Sequence, residues 1–447
     1  MINSDNNEAR MIITSGQEVA SSTKLFDTGL SFDPSVSHND YIAALVEEKR
    51  NTSEALSVYV HLPFCPSRCL SCDHQTSVSH DHQQIDHYLD ALEIELQLVT
   101  DHLGRGRRLQ QLHLGGGTPN YLSELQLVRL VDILDKHFTI DDQTESSLEA
   151  NAHRASVSQL SLLHGLGFRS LNLELRDLDP TVQQALGRHQ SLPVIRDVVE
   201  NARQIGFTTV ATDLVYGLPM QSASSVQKTV EDLLALAPDR VSCYTYSRRA
   251  NHFQHQRAID SQQLPSIADK VAIFSRIVDK FCSSGYEWIG LDCFARDQDS
   301  ISQAHRNGSL QRNWIGYTAQ PGRGVIGLGS SSMTDISSIC VQNHSDIAQW
   351  RESLERGELP MSAAARLSPN VRARRQALSD LMCNLHLTDD KHTLLDGSQD
   401  YPALKALKED GLVEIDGDRL TMTEAGRYTL HQACGDSSPM YRWRSIA

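Results

Sequence analysis

The chain has few basic residues for its acidic ones, no long apolar run and no basic leader, and each shortage closes off a class of function. Its 447 residues carry 41 Lys and Arg against 56 Asp and Glu, a net charge of −15. A nucleic-acid surface needs a basic stripe and a lipid anchor needs clustered Lys or Arg, so neither partner is expected. No apolar stretch approaches a membrane-spanning length, and Met1-Ile-Asn-Ser-Asp-Asn-Asn-Glu8 lacks the basic segment and apolar core of a secretory signal. Cysteine occurs nine times, an odd number, with six scattered (Cys243, Cys282, Cys293, Cys340, Cys383 and Cys434). That usage does not make a secreted disulfide framework. The expectation is a soluble, cytoplasmic protein in a reducing compartment.

The other three cysteines stand together in Cys65-Pro-Ser-Arg-Cys69-Leu-Ser-Cys72, at the end of the apolar run Ser57-Val-Tyr-Val-His-Leu-Pro-Phe64. Thiolates bind iron–sulfur clusters strongly, and a full cage takes four of them. Three close ligands leave one iron of a [4Fe–4S] cluster open. Three unrelated thiols, or half of a zinc site completed by His74 or His80, are the competing readings, since zinc takes four ligands.

Residues 1–56 read as a polar approach segment with a helix around Tyr41–Lys49. From Ser57, short β-branched runs alternate with amphipathic stretches: Ser57–His61 then Ile85–Leu103, Leu109–Leu114 then Glu124–His137, Ser147–Ala150 then Val157–Leu166, Leu171–Leu175 then Leu192–Ile205, Thr208–Val215 then Ser225–Leu236, and Arg240–Tyr246 then Ser266–Ser284. Six strand–helix units predict an α/β fold with a parallel sheet, an open or partial (β/α)6 barrel over 57–300. Function in such folds gathers at the C-terminal strand ends, where the cysteine loop falls. A run at Tyr286–Phe294 and the irregular stretch 301–369 are expected to extend the sheet and cover its mouth. Residues 370–447 read as a small, mostly helical, winged-helix-like domain, with a helix, a Gly turn and a two-stranded wing.

The second strand ends in Leu114-Gly-Gly-Gly-Thr-Pro119. A glycine run lets backbone approach a ligand closely, and its amides can meet a carboxylate. Glu149 and Asp213 are placed at ends of the third and fifth strands, and Arg188 follows the fourth. Carboxylates there suit an amino group and ribose hydroxyls, and a guanidinium suits a carboxylate. Taken singly, each is more often a helix cap or a surface ion pair.

These segments resemble the oxygen-independent coproporphyrinogen III oxidase family of radical S-adenosylmethionine (SAM) enzymes. The likeness lies in Tyr59-Val-His-Leu-Pro-Phe-Cys65, Gly115-Gly-Gly-Thr-Pro119, Asp213-Leu-Val-Tyr-Gly-Leu-Pro219, Phe294-Ala-Arg296, Arg312-Asn-Trp-Ile-Gly-Tyr-Thr-Ala-Gln320 and Leu381-Met-Cys-Asn384. The resemblance implies a radical SAM barrel with a [4Fe–4S] cluster on Cys65, Cys69 and Cys72. It places Tyr59, Gly117, Thr118, Glu149, Arg188, Asp213, Ser247 and Met333 around SAM, and in that family a second SAM lies beside the first. It further implies hydrogen abstraction from a tetrapyrrole propionate, loss of carbon dioxide and formation of a vinyl group. An external reducing protein supplies electrons, and the chain is expected to act as a monomer.

The chain departs from the family's pattern at several points. His74 stands where a fourth cysteine is usual, and Ser71 where an aromatic residue is common. Ala-Asn-Ala152 follows Glu149 in place of Val-Asp-Pro, Glu174-Leu-Arg176 replaces Gly-Val-Gln, and an N-terminal Tyr-Thr-Ser-Tyr-Pro segment is absent. Arg for Gln adds a permanent charge and a different donor fork, which puts Arg176 at the second SAM position or on the substrate. Arg248 and Arg249 are further candidates for the substrate carboxylates. Two other activities fit part of this pattern: haem methylation with ring opening, and a non-enzymatic haem chaperone.

Overall fold

A computed structural model describes residues 30–50, 56–320, 324–336, 338–388, 405 and 407–428. After helix α1 (His38–Arg50), six strand–helix units follow: β1 (Leu56–Leu62) and α2 (His82–Leu103), β2 (Arg107–Gly116) and α3 (Glu124–Asp135), β3 (Glu145–Ala150) and α4 (Val157–Gly165), β4 (Ser170–Arg176) with α5 (Pro180–Leu186) and α6 (Leu192–Ile205), β5 (Thr209–Tyr216) and α7 (Ala223–Leu236), and β6 (Arg240–Thr245) and α8 (Ile267–Ser283). Each strand pairs in parallel with the next, so β1 to β6 lie side by side in chain order. This is the expected partial (β/α)6 barrel.

The sheet continues at both sides. Beyond β6, β8 (Cys293–Arg296) and β7 (Tyr286–Ile289) add in antiparallel fashion. Beyond β1, a parallel strand β9 (Val325–Leu328) is followed by antiparallel β10 (Met333–Ile336), β11 (Ile339–Asn343) and β12 (Met361–Arg366), giving thirteen strands with the short Phe138–Thr139 pair. Helices α9 (Ser300–Arg306) and α10 (Ile347–Glu355) fill the connections. Helix α11 (Pro369–Asn384) opens the C-terminal part, where β13 (His386–Thr388), β14 (Val413–Asp416) and β15 (Arg419–Met422) form a three-stranded antiparallel sheet. That helix and wing fit the winged-helix expectation over the described residues; Cys434 and the chain from 429 lie outside them.

Alternation along the strands sorts two faces. Leu148, Leu171, Leu173, Val210, Leu214 and Val241 are at most 1 % exposed in the core under the helices. The residues between them line a channel on the concave side. A closed eight-stranded barrel fills its interior with side chains; this open one keeps its interior polar and accessible. The hairpin of Gln311–Arg312 and Tyr317–Thr318 does not cover the mouth, as the sequence suggested. It enters from the other end, because its polar groups pair with residues at the N-terminal strand ends. Asn313 Nδ2 donates to Gln111 Oε1 at 2.9 Å, and Thr318 Oγ1 to Glu145 Oε2 at 3.1 Å.

Candidate active site

The cysteine loop leaves β1 and is fixed at both ends. Phe64–Cys65 pairs with Ser77–Val78, and the Cys72 carbonyl accepts from Gln256 Nε2 at 2.9 Å and lies 2.7 Å from His255 Nε2. Cys65, Cys69 and Cys72 line one cavity of about 110 Å³ with Gly116, Gly117, Thr118, Glu174, Arg176 and Arg188. Cys65 Sγ lies 3.4 Å from Thr118 Oγ1, and Arg188 Nη1 donates to Cys69 Sγ at 3.2 Å. Burial raises the Cys65 thiol to about 12, with the Thr118 hydroxyl opposing the rise. Among the described residues no three His, Cys, Asp or Glu side chains close on one point as ligands of a single ion. Thiols spread round a cavity fit a cluster, in which each can bind a different iron.

The glycine turn works differently from expectation. Its amides are already used: Gly116 N donates to Glu149 Oε2 at 3.0 Å, Gly117 N to Leu62 O at 2.8 Å and Thr118 N to Phe64 O at 2.9 Å. A Cβ on Gly117 would lie 2.7 Å from Leu62 O and Phe64 O, so glycine here lets the turn pack on the cysteine loop. The turn braces the cysteine loop, and its N–H groups are spent within the chain.

Glu149, Arg176, Asp213 and Ser247 line the polar channel of about 240 Å³, with Arg249, Arg240 and Arg312. Asp213 is not at a strand end, since β5 runs on to Tyr216; it faces the channel and accepts from Asn172 Nδ2 at 3.2 Å. Arg248 turns aside, its Nε donating to Gln256 O at 3.2 Å. Tyr59, Glu149 and Met333 line a smaller side cavity, where Tyr59 packs edge-on against Trp314 with centroids 4.6 Å apart. His74 borders all three spaces, while Arg176 and Glu174 border both the cysteine cavity and the channel. His74 Nδ1 lies 3.3 Å from Asp73 Oδ1; burial opposes its charge, but Asp73 and the Cys72 sulfur lift its pKa to about 10.

Sequence reasoning missed His255 and Gln256, the charged far end of the channel, and the polar concave face. The last was present as a period of two: Gln111 and His113, Ser147 and Glu149, Ser170, Asn172 and Glu174, Ser242 and Tyr244.

The Radical SAM superfamily profile matches residues 59–233, and the HemN C-terminal domain profile matches 367–429. The chain is 33% identical over 418 residues to the oxygen-independent coproporphyrinogen III oxidase of Pseudomonas aeruginosa, covering 92% of this chain and 91% of that one. It belongs to the oxygen-independent coproporphyrinogen III oxidase family. A second relative of that name, from Escherichia coli, is 32% identical over 92% of this chain and 90% of its own. The solved structure of the Escherichia coli coproporphyrinogen III oxidase, described as a radical SAM enzyme, matches with a TM-score of 0.85 and 32% identity, over 90% of this chain and 94% of that one. Within this family, then, lie the cysteine cavity, the polar channel and the helix and wing of this chain.

Proposed function

We propose that this chain is a radical SAM oxidoreductase that decarboxylates two propionates of coproporphyrinogen III to vinyl groups, giving protoporphyrinogen IX. The observation that carries this reading is the junction of the cysteine cavity with the polar channel, in a chain whose family identity spans nine-tenths of its length. Cys65, Cys69 and Cys72 hold the [4Fe–4S] cluster, and Arg188 steadies the Cys69 thiolate by donating to its sulfur. The Gly117–Thr118 turn meets the methionine end of SAM, whose ammonium suits backbone oxygens. Glu149, Asp213 and Ser247 face the ribose and adenine, with Tyr59 and Met333 closing the side cavity.

When bound and reduced, the cluster and SAM together supply the abstraction of one hydrogen atom from the propionate β-carbon, a step no side chain performs. Carbon dioxide then leaves, one electron passes to an acceptor outside the chain, and the vinyl double bond remains. One propionate arm enters the channel beside SAM while the rest of the macrocycle stays at the opening. A reducing protein supplies electrons, and the chain acts as a cytoplasmic monomer; among the described residues no helix is long and apolar enough to cross a membrane.

The test is an oxygen-free product assay with coproporphyrinogen III, haem and no substrate in parallel. Vinyl product from the first alone is expected. Haem consumption without vinyl product, or SAM cleavage indifferent to coproporphyrinogen III, overturns the reading.

A further inference from the structure

We propose that Arg176, braced by Ser71, is the anchor for a ligand carboxylate at the neck between the cysteine cavity and the channel. On the functional reading above, that carboxylate is a propionate of the tetrapyrrole.

The guanidinium is held by one nitrogen only. Arg176 Nη1 donates to Ser71 Oγ at 3.0 Å and to Ser71 O at 3.3 Å; the carboxylates of Glu174 and Asp73 are near enough to favour its charge, but among the described residues none comes within 4 Å of it as an ion pair. Its side chain borders both cavities, so the remaining donors lie where a ligand passes. Three other arginines of these spaces are committed. Arg240 bonds Asp299 at 2.8 Å and lies 3.6 Å from Glu145, Arg312 lies 3.7 Å from Asp292, and Arg188 bonds Glu174 and Cys69. A planar fork with unused donors in a partly desolvated site is the geometry for recognising a carboxylate.

The backbone points the same way. Arg176 adopts φ +67, a left-handed conformation uncommon for a residue with a Cβ, and the β4–β5 register slips between Glu174 and Arg176. Bulges re-aim side chains beside functional sites, and a strained residue persists where its surroundings over-determine it. Here the bulge directs the arginine at the neck, and the small Ser71 side chain leaves it room. The lining is otherwise rich in acid, with Asp73, Glu149, Glu174 and Asp213, so a carboxylate entering between the two cavities is drawn to the guanidinium of Arg176. SAM carries a carboxylate too, and the test separates the two sources.

Anaerobically reconstituted holoenzyme is titrated with coproporphyrin III, with its tetramethyl ester and, separately, with SAM, for wild type, R176Q and R176K. R176Q is expected to weaken coproporphyrin III about 10- to 100-fold, the size of a lost charge-assisted contact, with R176K between the two. SAM affinity and iron content stay at the wild-type level, and the ester binds all three proteins alike. Equal coproporphyrin III affinity in wild type and R176Q overturns the anchor, while vinyl product from the same wild-type protein leaves the functional reading standing. A parallel loss of SAM affinity gives the guanidinium to the SAM carboxylate and likewise overturns it. A wild type that neither binds coproporphyrin III nor yields vinyl product overturns the functional reading and the anchor with it, and does so before any substitution is made.

Discussion

On the helix side of the barrel strands, Leu148, Leu171, Leu173 and Val241 are at most 1 % exposed, while their chain neighbours Ser147, Ser170, Asn172 and Ser242 face the channel. The same backbone separates a dry medium from a wet one by alternation alone. Charge follows the division. The helix side holds Glu95, 1 % exposed, with all its bonds made inside the fold, from Gly329 N at 2.7 Å, Trp350 Nε1 at 3.2 Å and Asn343 Nδ2. The channel side holds Arg176 with donors to spare. Stability is therefore concentrated on one face and chemistry on the other, and substitutions should fall into two groups.

The largest effect should come from the cysteine loop. Replacing Cys65, Cys69 or Cys72 by Ala should abolish the visible absorption of the reconstituted protein and all SAM cleavage, whereas Cys243→Ala on the helix side should keep both. Iron analysis, at about four irons per chain for an intact cluster, checks this; wild-type iron in all three loop variants would break the assignment.

Next in size, Leu171→Ala should lower unfolding free energy by about 2–5 kcal/mol through the cavity it leaves. Asn172→Ala, one residue on but facing the channel, should lower it by only about 1 kcal/mol, the worth of one hydrogen bond. Denaturant titration of both decides it, and equal losses would erase the distinction between the faces.

Glu95 gives a pH test of the dry face. Burial pushes its carboxyl up from 4.5 to about 7, against the three donors that favour the anion. A carboxyl bound more tightly to its proton when folded contributes stability below the unfolded pKa and loses it as pH rises. The contribution should therefore decline between pH 4.5 and about 7, by on the order of 3 kcal/mol. Glu95→Gln should flatten that decline; an unchanged pH profile would mean that folding leaves the Glu95 pKa where it is in the unfolded chain.

The smallest effect should be Asp213→Asn, which keeps shape and removes charge on the wet face. SAM affinity should drop about tenfold, with iron content and unfolding midpoint unchanged. A shifted midpoint with unchanged SAM binding would return Asp213 to a structural role.

Much of this architecture was legible in the chain. The six parallel strands and their order followed from alternating runs with helical spacers, and the cysteine loop from its spacing. What escaped depends on contacts between distant segments. His255 and Gln256 reach Cys72 O across more than 180 residues from a polar loop with no periodicity to flag it. The glycine turn reads as a ligand cradle in sequence, yet Leu62 and Phe64 carbonyls consume its amides. The hairpin around Trp314 reads as a cover, because nothing local tells that Gln111 and Glu145 are its partners. The left-handed turn at Arg176 carries no glycine or asparagine to announce it.

Tyr317 belongs to that hairpin, and its hydroxyl accepts from Leu291 N at 2.9 Å and donates to Met382 O of α11 at 3.4 Å. Gly290 makes room for it, since a Cβ there would lie 2.2 Å from the same hydroxyl. One phenol thus rivets the C-terminal helix, the sheet edge and the inner hairpin together. Mechanically, the C-terminal segment is a stopper more than an appendage: pulling α11 away draws out the floor of the channel, so the two should melt as one cooperative unit.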